Sequence, residues 1–259
     1  MLQFNYTSNG YEVTGQVAPL ETDIIIPSTF DDGINGEFPV LSVGSYAFQY
    51  NQLTSVVIPN SVTSIESYAF QSNQLTSVVI PDSVTSIESY AFQSNRLTSV
   101  VIPNSVTSIG SSAFQYNQLT SVVIPDSVTS IGSIAFQYNQ LTSVVWETAE
   151  SIQSYTFSSG GNKITSFTIT SNSLVSLANI NAFDVVTVEN PMIVYVQPQL
   201  IEDYKIATNW SSLYNDGRAT FEPAPITKLK PYLTAIKEAI QFKDGSSGNV
   251  NVQDMPQMI

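Results

Sequence analysis

Few side chains in this sequence are equipped for chemistry, and a repeat governs the spacing of those that are. Glu66 and Glu88 stand 22 residues apart at equivalent positions of two nearly identical segments. If those segments stack as neighbouring strand-like layers, the carboxylates lie about 5 Å apart, the separation at which a retaining glycosidase holds its acid and its nucleophile. The pattern supplies no pocket, no partner and no aromatic subsite around them. They read as two solvated charges on adjacent layers, and no catalytic residue is assigned. The stretch Asp31-Asp32-Gly33-Ile34-Asn35-Gly36-Glu37 is rich in oxygen ligands suited to Ca²⁺. It lacks the acidic spacing and terminal Glu of an EF-hand loop, so it reads as a turn-rich loop. No metal and no cofactor are assigned.

Composition removes further classes. The 259 residues contain no Cys and no His, with 21 acidic against 8 basic residues, a formal charge of −13 and a pI near 4.1. Without imidazole or thiolate there is no Ser-His-Asp triad, no Cys nucleophile, no His or Cys zinc site and no histidine switch. The chain is expected not to be an enzyme. Phosphate recognition starts from clustered Lys and Arg, so nucleic acid is not expected as a partner. The opening MLQFNYTSNGYEVTG has neither a basic nor an apolar leader region, and no apolar run approaches membrane-spanning length. A signal peptide and membrane insertion are not expected.

The elements that would position any site are set by the segment LTSVVIPNSVTSIESYAFQSNQ, which recurs so that Leu53, Leu75, Leu97, Leu119 and Leu141 fall every 22 residues. A unit this short cannot bury its apolar face alone and must stack on its copies, which predicts a β-rich solenoid. Thr54-Ser55-Val56-Val57-Ile58 is β-branched and alternating, so a strand is expected with Val56 and Ile58 inward and Ser55 and Val57 outward. Pro59-Asn60-Ser61 should end it in a turn. A second extended piece, Val62 to Ile65, and a short helical or 3₁₀ turn at Ser67 to Phe70 should follow. Phe48, Phe70, Phe92, Phe114 and Phe136 are expected to form an aromatic spine. Asn51, Asn73, Asn95, Asn117 and Asn139 form a polar column, read as a ladder satisfying backbone groups at the turn in preference to a ligand surface.

These motifs closely resemble the BspA-like subclass of leucine-rich repeats, whose units run roughly LxxVxIPxSVTSIGxxAFxxN. The likeness is strong from Tyr46 to about Val145 and degenerate through Tyr155-Thr156-Phe157, Ile164 to Phe167 and Ala182-Phe183. It implies a right-handed stack of about 22-residue units with N- and C-terminal caps. Asp23 to Ser28 looks like half a repeat, joined to Ala47-Phe48 by an insert from Phe30 to Phe38. Ile193 to Val196, Tyr204-Lys205 and Trp210 look like a terminal unit. The domains are then 1–45, an N-terminal cap with a partial repeat; 46–222, the solenoid; and 223–259, a linker with a small helical module. Proteins of this family occur on bacterial and protist surfaces and in phage-encoded proteins, usually as binding or adhesion scaffolds.

The last segment carries a second likeness. Leu229, Leu233, Ile236 and Ile240 follow an amphipathic helical spacing that Gly245 is placed to end. With Val252-Gln253-Asp254-Met255-Pro256 and the terminal Ile259, this stretch is similar to a module common at the ends of tailed-phage structural proteins, AIxxKxGxxxxxxxxDMPxxI. The departure is Asp244, where a small polar residue usually precedes Gly. The likeness implies an attachment point formed by Leu229, Leu233, Ile236, Ile240, Met255 and Ile259, through which other virion proteins would be bound.

A specific ligand must be read from positions that differ between copies, and few do. Tyr50/Ser72/Ser94/Tyr116/Tyr138, Gln52/Gln74/Arg96/Gln118/Gln140, Glu66/Glu88/Gly110/Gly132 and Tyr68/Tyr90/Ser112/Ile134 vary without assembling a catalytic set. The face offered to a partner is the outer strand face, Ser55, Val57, Ser77, Val79, Ser99, Val101, Ser121 and Val123, which is small and nearly uncharged. It suits a host surface protein or glycan, or self-association into a homo-oligomer. Taken together, the two likenesses imply a non-enzymatic phage virion protein, a decoration or host-binding component; the alternative is a bacterial cell-surface or secreted adhesin.

Overall fold

The computed structural model describes residues 1–18, 20–146, 151–158 and 160–224, which belong to one compact unit, Met1–Ala224. The expectations for Leu229, Leu233, Ile236, Ile240, Met255 and Ile259 lie outside the described residues.

The N-terminal part is a strand cluster. β1 (Leu2–Thr7) and β2 (Gly10–Gln16) pair antiparallel, β2 pairs in parallel with β5 (Glu37–Val43), and β4 (Thr29–Asp31) folds back antiparallel on β5. The insert earns its place through aromatic packing: Phe30 stacks on Phe4 at 4.0 Å between ring centroids, and Tyr11 meets Phe30 edge-on at 5.1 Å. β3 (Asp23–Ile25) pairs in parallel with β6 (Ser55–Val57), Ile24 opposite Val56, the place a half-repeat would occupy.

From β5 onward the coils register one on the next. β7 (Ser64–Ile65), β8 (Ser86–Ile87), β9 (Ser108–Ile109) and β11 (Ser130–Ile131) continue its sheet in parallel, Ile65, Ile87, Ile109 and Ile131 falling in one row. Of each expected Val62 to Ile65 strand, only the Ser-Ile pair is in the ladder. A second parallel sheet runs β10 (Ser121–Ile124), β12 (Ser143–Trp146), β14 (Ser166–Ile169), β16 (Met192–Val196) and β17 (Ala219–Pro223). β13 (Ser151–Ile152) pairs with β15 (Ser176–Leu177).

The expected five-residue strand is realised unevenly. Ser55–Val57 is a strand, but the next two copies are reduced to a Val79–Val101 bridge. The four- and five-residue strands go with a covered outer face, whereas Val57, in its three-residue strand, is 56% exposed. Val79 and Val101 stand 61% and 43% exposed, whereas Val145, Thr168 and Tyr195 are buried and their strands run four or five residues. A strand packed on both faces has more to hold its pairing.

The short helical or 3₁₀ turn expected at Ser67 to Phe70 is two successive i→i+3 turns with no helix, the Ala69 N–H donating to the Glu66 carbonyl at 3.2 Å. The Gln71 N–H donates to the Tyr68 carbonyl at 3.1 Å, and the backbone passes through φ +63° at Tyr68 and +55° at Ser72, which stops helix growth. Alternation is as expected, with Val56 and Ile58 buried and Ser55 and Val57 exposed.

The core is a set of columns. Phe48, Phe70, Phe92, Phe114 and Phe136 are fully buried and stack at 5.3–5.5 Å with rings within 11° of parallel. The spine runs on through Phe157 to Phe183 across the degenerate units. At the far end α1 (Ile201–Ile206) and α2 (Trp210–Asn215) bring in Tyr204 and Trp210, both buried. The Tyr204 hydroxyl accepts the Val175 N–H at 3.0 Å and the Trp210 Nε1–H donates to the Val175 carbonyl at 2.8 Å. Burial pushes the Tyr204 phenol up to about 12, the Val175 N–H opposing it.

Candidate partner-binding faces

The asparagine column is internal. Asn73, Asn95, Asn117 and Asn139 are buried, each Oδ1 accepting the backbone N–H of a leucine in the preceding coil, as Leu53 to Asn73 at 2.8 Å and Leu97 to Asn117 at 3.0 Å. Each Nδ2 donates to two phenylalanine carbonyls, one per coil, as Asn117 to Phe92 and Phe114 at 2.9 and 3.1 Å. The ladder reading holds, and Asn162 extends it into the degenerate unit. Beside it runs a glutamine ladder, Gln49 to Gln71, Gln93, Gln115 and Gln137, joined side chain to side chain. These amides are spent on the scaffold.

The carboxylates assemble no reactive set. Glu66 Oε1 accepts the Ser64 hydroxyl at 2.8 Å. On β2, Glu12 is raised above its ordinary value by burial and then by the Glu66 charge. In the Asp31 to Glu37 loop, Asp32 accepts the backbone N–H groups of Asn35 and Ile34 at 2.7 and 2.9 Å, which holds it down at about 2, and Asp31 accepts from Gly33. Those oxygens close the turn. Among the described residues no group of three or more His, Cys, Asp or Glu is placed to hold a metal ion, and no helix is long and apolar enough to cross a membrane.

Two outward faces remain. On the strand face Ser55, Ser77, Ser99 and Ser121 are exposed, and Val57, Val79 and Val101 form an exposed row that Ile25 extends at one end through its pairing with Val57. Val123 is half-buried, so the row fades there.

The turn face carries tyrosines that sequence reasoning does not foresee. Tyr46, Tyr68 and Tyr90 stack at 4.7 and 4.5 Å with rings within 7° of parallel, and Tyr116 and Tyr138 at 4.4 Å in a second column. All five have positive φ, as do Tyr50 and Tyr155. Burial and the neighbouring phenols raise the pKa of Tyr68, and of Tyr116 likewise. The columns do stand out as variable in the sequence. Their left-handed backbone does not, because that conformation is ordinarily announced by Gly or Asn.

Comparison with known proteins accords with this geometry. Residues 41–165 match the BspA type leucine rich repeat region in six copies. A leucine-rich repeat protein from Bacteroides ovatus shares the fold with a TM-score of 0.51 at 20% identity, over 75% of this chain and 69% of that one. More distant are a leucine rich cell surface protein from Faecalibacterium prausnitzii, with a TM-score of 0.35 at 22% identity over 69% and 71% of the two chains, and the pneumococcal vaccine antigen PcpA, 0.43 at 14% over 87% and 97%. No curated protein matches the chain by sequence. In-register coils, stacked Phe columns and six matched copies together give the chain the leucine-rich repeat fold, with residues 41–165 similar to the BspA type.

Proposed function

We propose that this chain is a non-enzymatic binding protein displayed on, or secreted from, a bacterial cell, with adhesion through its repeats as its task. The observation that carries the reading is the division of labour among the columns. Asn, Gln, Leu and Phe are consumed by the stack, while valine and tyrosine rows are held outward where nothing in the scaffold requires apolar or aromatic surface. Contiguous exposed rows of this kind are what interaction surfaces are made of.

The six BspA-type copies support this reading, since that repeat type implies surface binding scaffolds. The virion reading leans on residues 225–259, outside the described residues, and so ranks second. Right-handed stacking, the two caps, the three-part domain division and an attachment role for Leu229, Leu233, Ile236, Ile240, Met255 and Ile259 belong to the same proposal. So does the assignment of Ser55, Val57, Ser77, Val79, Ser99, Val101, Ser121 and Val123 to a protein partner or to a second copy.

The test is location. Mass spectrometry of peptides shaved by protease from intact producing cells, compared with cytosol and with purified phage particles, should find the repeats in the shaved fraction. Recovery from particles alone would transfer the protein to the virion, and recovery from cytosol alone would end the surface reading.

A further inference from the structure

The tyrosine column at positions 50, 72, 94, 116 and 138 is interrupted. Its register is fixed by the backbone: the N–H groups of Tyr50, Ser72, Ser94 and Tyr116 each donate to a glutamine carbonyl in the next coil, at 3.0, 2.9, 2.9 and 3.1 Å. These positions therefore climb one coil at a time. At 72 and 94 the ring is replaced by a half-buried serine. With coils about 4.8 Å apart, Tyr50 and Tyr116 are about 14 Å apart along the column, which leaves about 10 Å clear between two aromatic walls over a floor of two hydroxyls.

Exposure indicates which ring faces are open. Tyr138 is covered on one face by Tyr116 and on the other by Gly160, where an added Cβ would come within 1.8 Å of its ring, and it is half-buried. Tyr116 has its Tyr138 side covered and is 48% exposed, while Tyr50 is 68% exposed. The uncovered face of Tyr116 looks along the column over Ser94.

A second irregularity falls in the same coil as Ser94. Two residues beyond Ser94, Arg96 stands where the other coils have Gln74, Gln118 and Gln140, and it is exposed. It takes part in neither of the ion pairs found among the described residues.

The fold does not require tyrosine in this column. Every position in this column has φ between +55° and +57°, a conformation that costs an L-residue roughly 1–2 kcal/mol, and serine occupies it in two coils. A ring kept at a strained, solvent-facing position where a small residue serves is a ring retained for contact.

We propose that the gap between Tyr50 and Tyr116 is a binding notch for a short neutral saccharide, which lays the C–H face of a sugar ring on Tyr116 and presents adjacent hydroxyls to the Arg96 guanidinium. This deepens the surface-binding reading and rests on it. A singly exposed aromatic face beside small hydroxyls matches a sugar, which has apolar faces and polar edges. The guanidinium fork donates in a plane, as neighbouring hydroxyl oxygens require. The net charge of −13 disfavours polyanionic glycans. Protein partners are better served by the valine row on the strand face, which is continuous and apolar.

The full chain is screened on an array of neutral and anionic oligosaccharides, and the best neutral hit is titrated calorimetrically against Tyr116→Ser, Arg96→Gln and Tyr46→Ser. Tyr116→Ser and Arg96→Gln install the residue that other coils carry in the same column, and Tyr46→Ser copies Ser112, so all three should fold. Tyr116→Ser and Arg96→Gln should each weaken binding by roughly fivefold, and Tyr46→Ser should not. A blank array, binding confined to anionic glycans, or an affinity indifferent to Tyr116 would overturn the notch. Cell adhesion that survives in the Tyr116→Ser/Arg96→Gln double variant would refute the notch and leave the surface reading standing, whereas a parent chain that is absent from the surface refutes that reading itself.

Discussion

Asn95 Oδ1 accepts the backbone N–H of Leu75 at 3.1 Å while its Nδ2 donates to the Phe70 carbonyl at 2.9 Å, so one side chain closes the turn of the coil before it. Both backbone groups are buried and have no water to fall back on. Asn95→Ala leaves the Leu75 N–H unpaired, at about 1–3 kcal/mol, and takes one of two amide donors from the Phe70 carbonyl, which keeps Asn73 at 3.0 Å. The expected loss of about 1–3 kcal/mol is measured by urea denaturation. Asn95→Asp, which keeps the acceptor and forfeits the donors, should not restore it.

Phe92 is stacked between Phe70 at 5.3 Å and Phe114 at 5.5 Å and is fully buried. Phe92→Ala should cost about 3–5 kcal/mol, because a stacked column cannot collapse into the gap without breaking its register. Repeat arrays are coupled through neighbours, so amide exchange should accelerate in the coils on both sides and much less near Tyr204.

The Tyr204 phenol sets an alkaline limit. It ionises near 10 in an unfolded chain and at about 12 when folded, so between those values the folded state holds a proton that the unfolded state has released. Stability is then expected to be unaffected by this group below pH 10 and to fall as pH rises toward 12. Tyr204→Phe should flatten that decline in alkaline melting curves. At neutral pH the same substitution should cost about 1–3 kcal/mol, since the Val175 N–H loses its acceptor.

Ile134 is a β-branched residue at φ +59°. Its coil gains nothing in the aromatic column from it, and Asn tolerates that backbone far better. Ile134→Asn should raise stability by about 1 kcal/mol, readable as an upward shift in Tm. A drop in Tm would mean that Ile134 contributes packing that outweighs the strain.

Much of the scaffold is legible in the sequence because its signals are strictly periodic. Leucine, phenylalanine and asparagine recur every 22 residues, and only stacking explains an asparagine kept beside each buried leucine. The outer strand face is legible for the same reason, through alternation in Thr54 to Ile58. Two things escape. The longer strands around Val145, Thr168 and Tyr195 go with a covered outer side, which no single repeat encodes. The tyrosine stacks depend on left-handed φ at residues that do not advertise it. The gap in the tyrosine column is visible only where both kinds of information meet, in Ser72 and Ser94 replacing rings between Tyr50 and Tyr116.

In-register columns have a consequence for length. A coil inserted between Phe114 and Phe136 would find the partners it needs above and below, since the same bonds recur between each coil and the next, as Leu75 to Asn95 and Leu97 to Asn117. It would add about 4.8 Å to the column and change nothing on the far side of the Tyr50 to Tyr116 gap. Gain or loss of whole 22-residue units is thus a gauge that sets how far the Tyr50 to Tyr116 gap stands from the Tyr204 and Trp210 end of the repeats, adjustable in single layers.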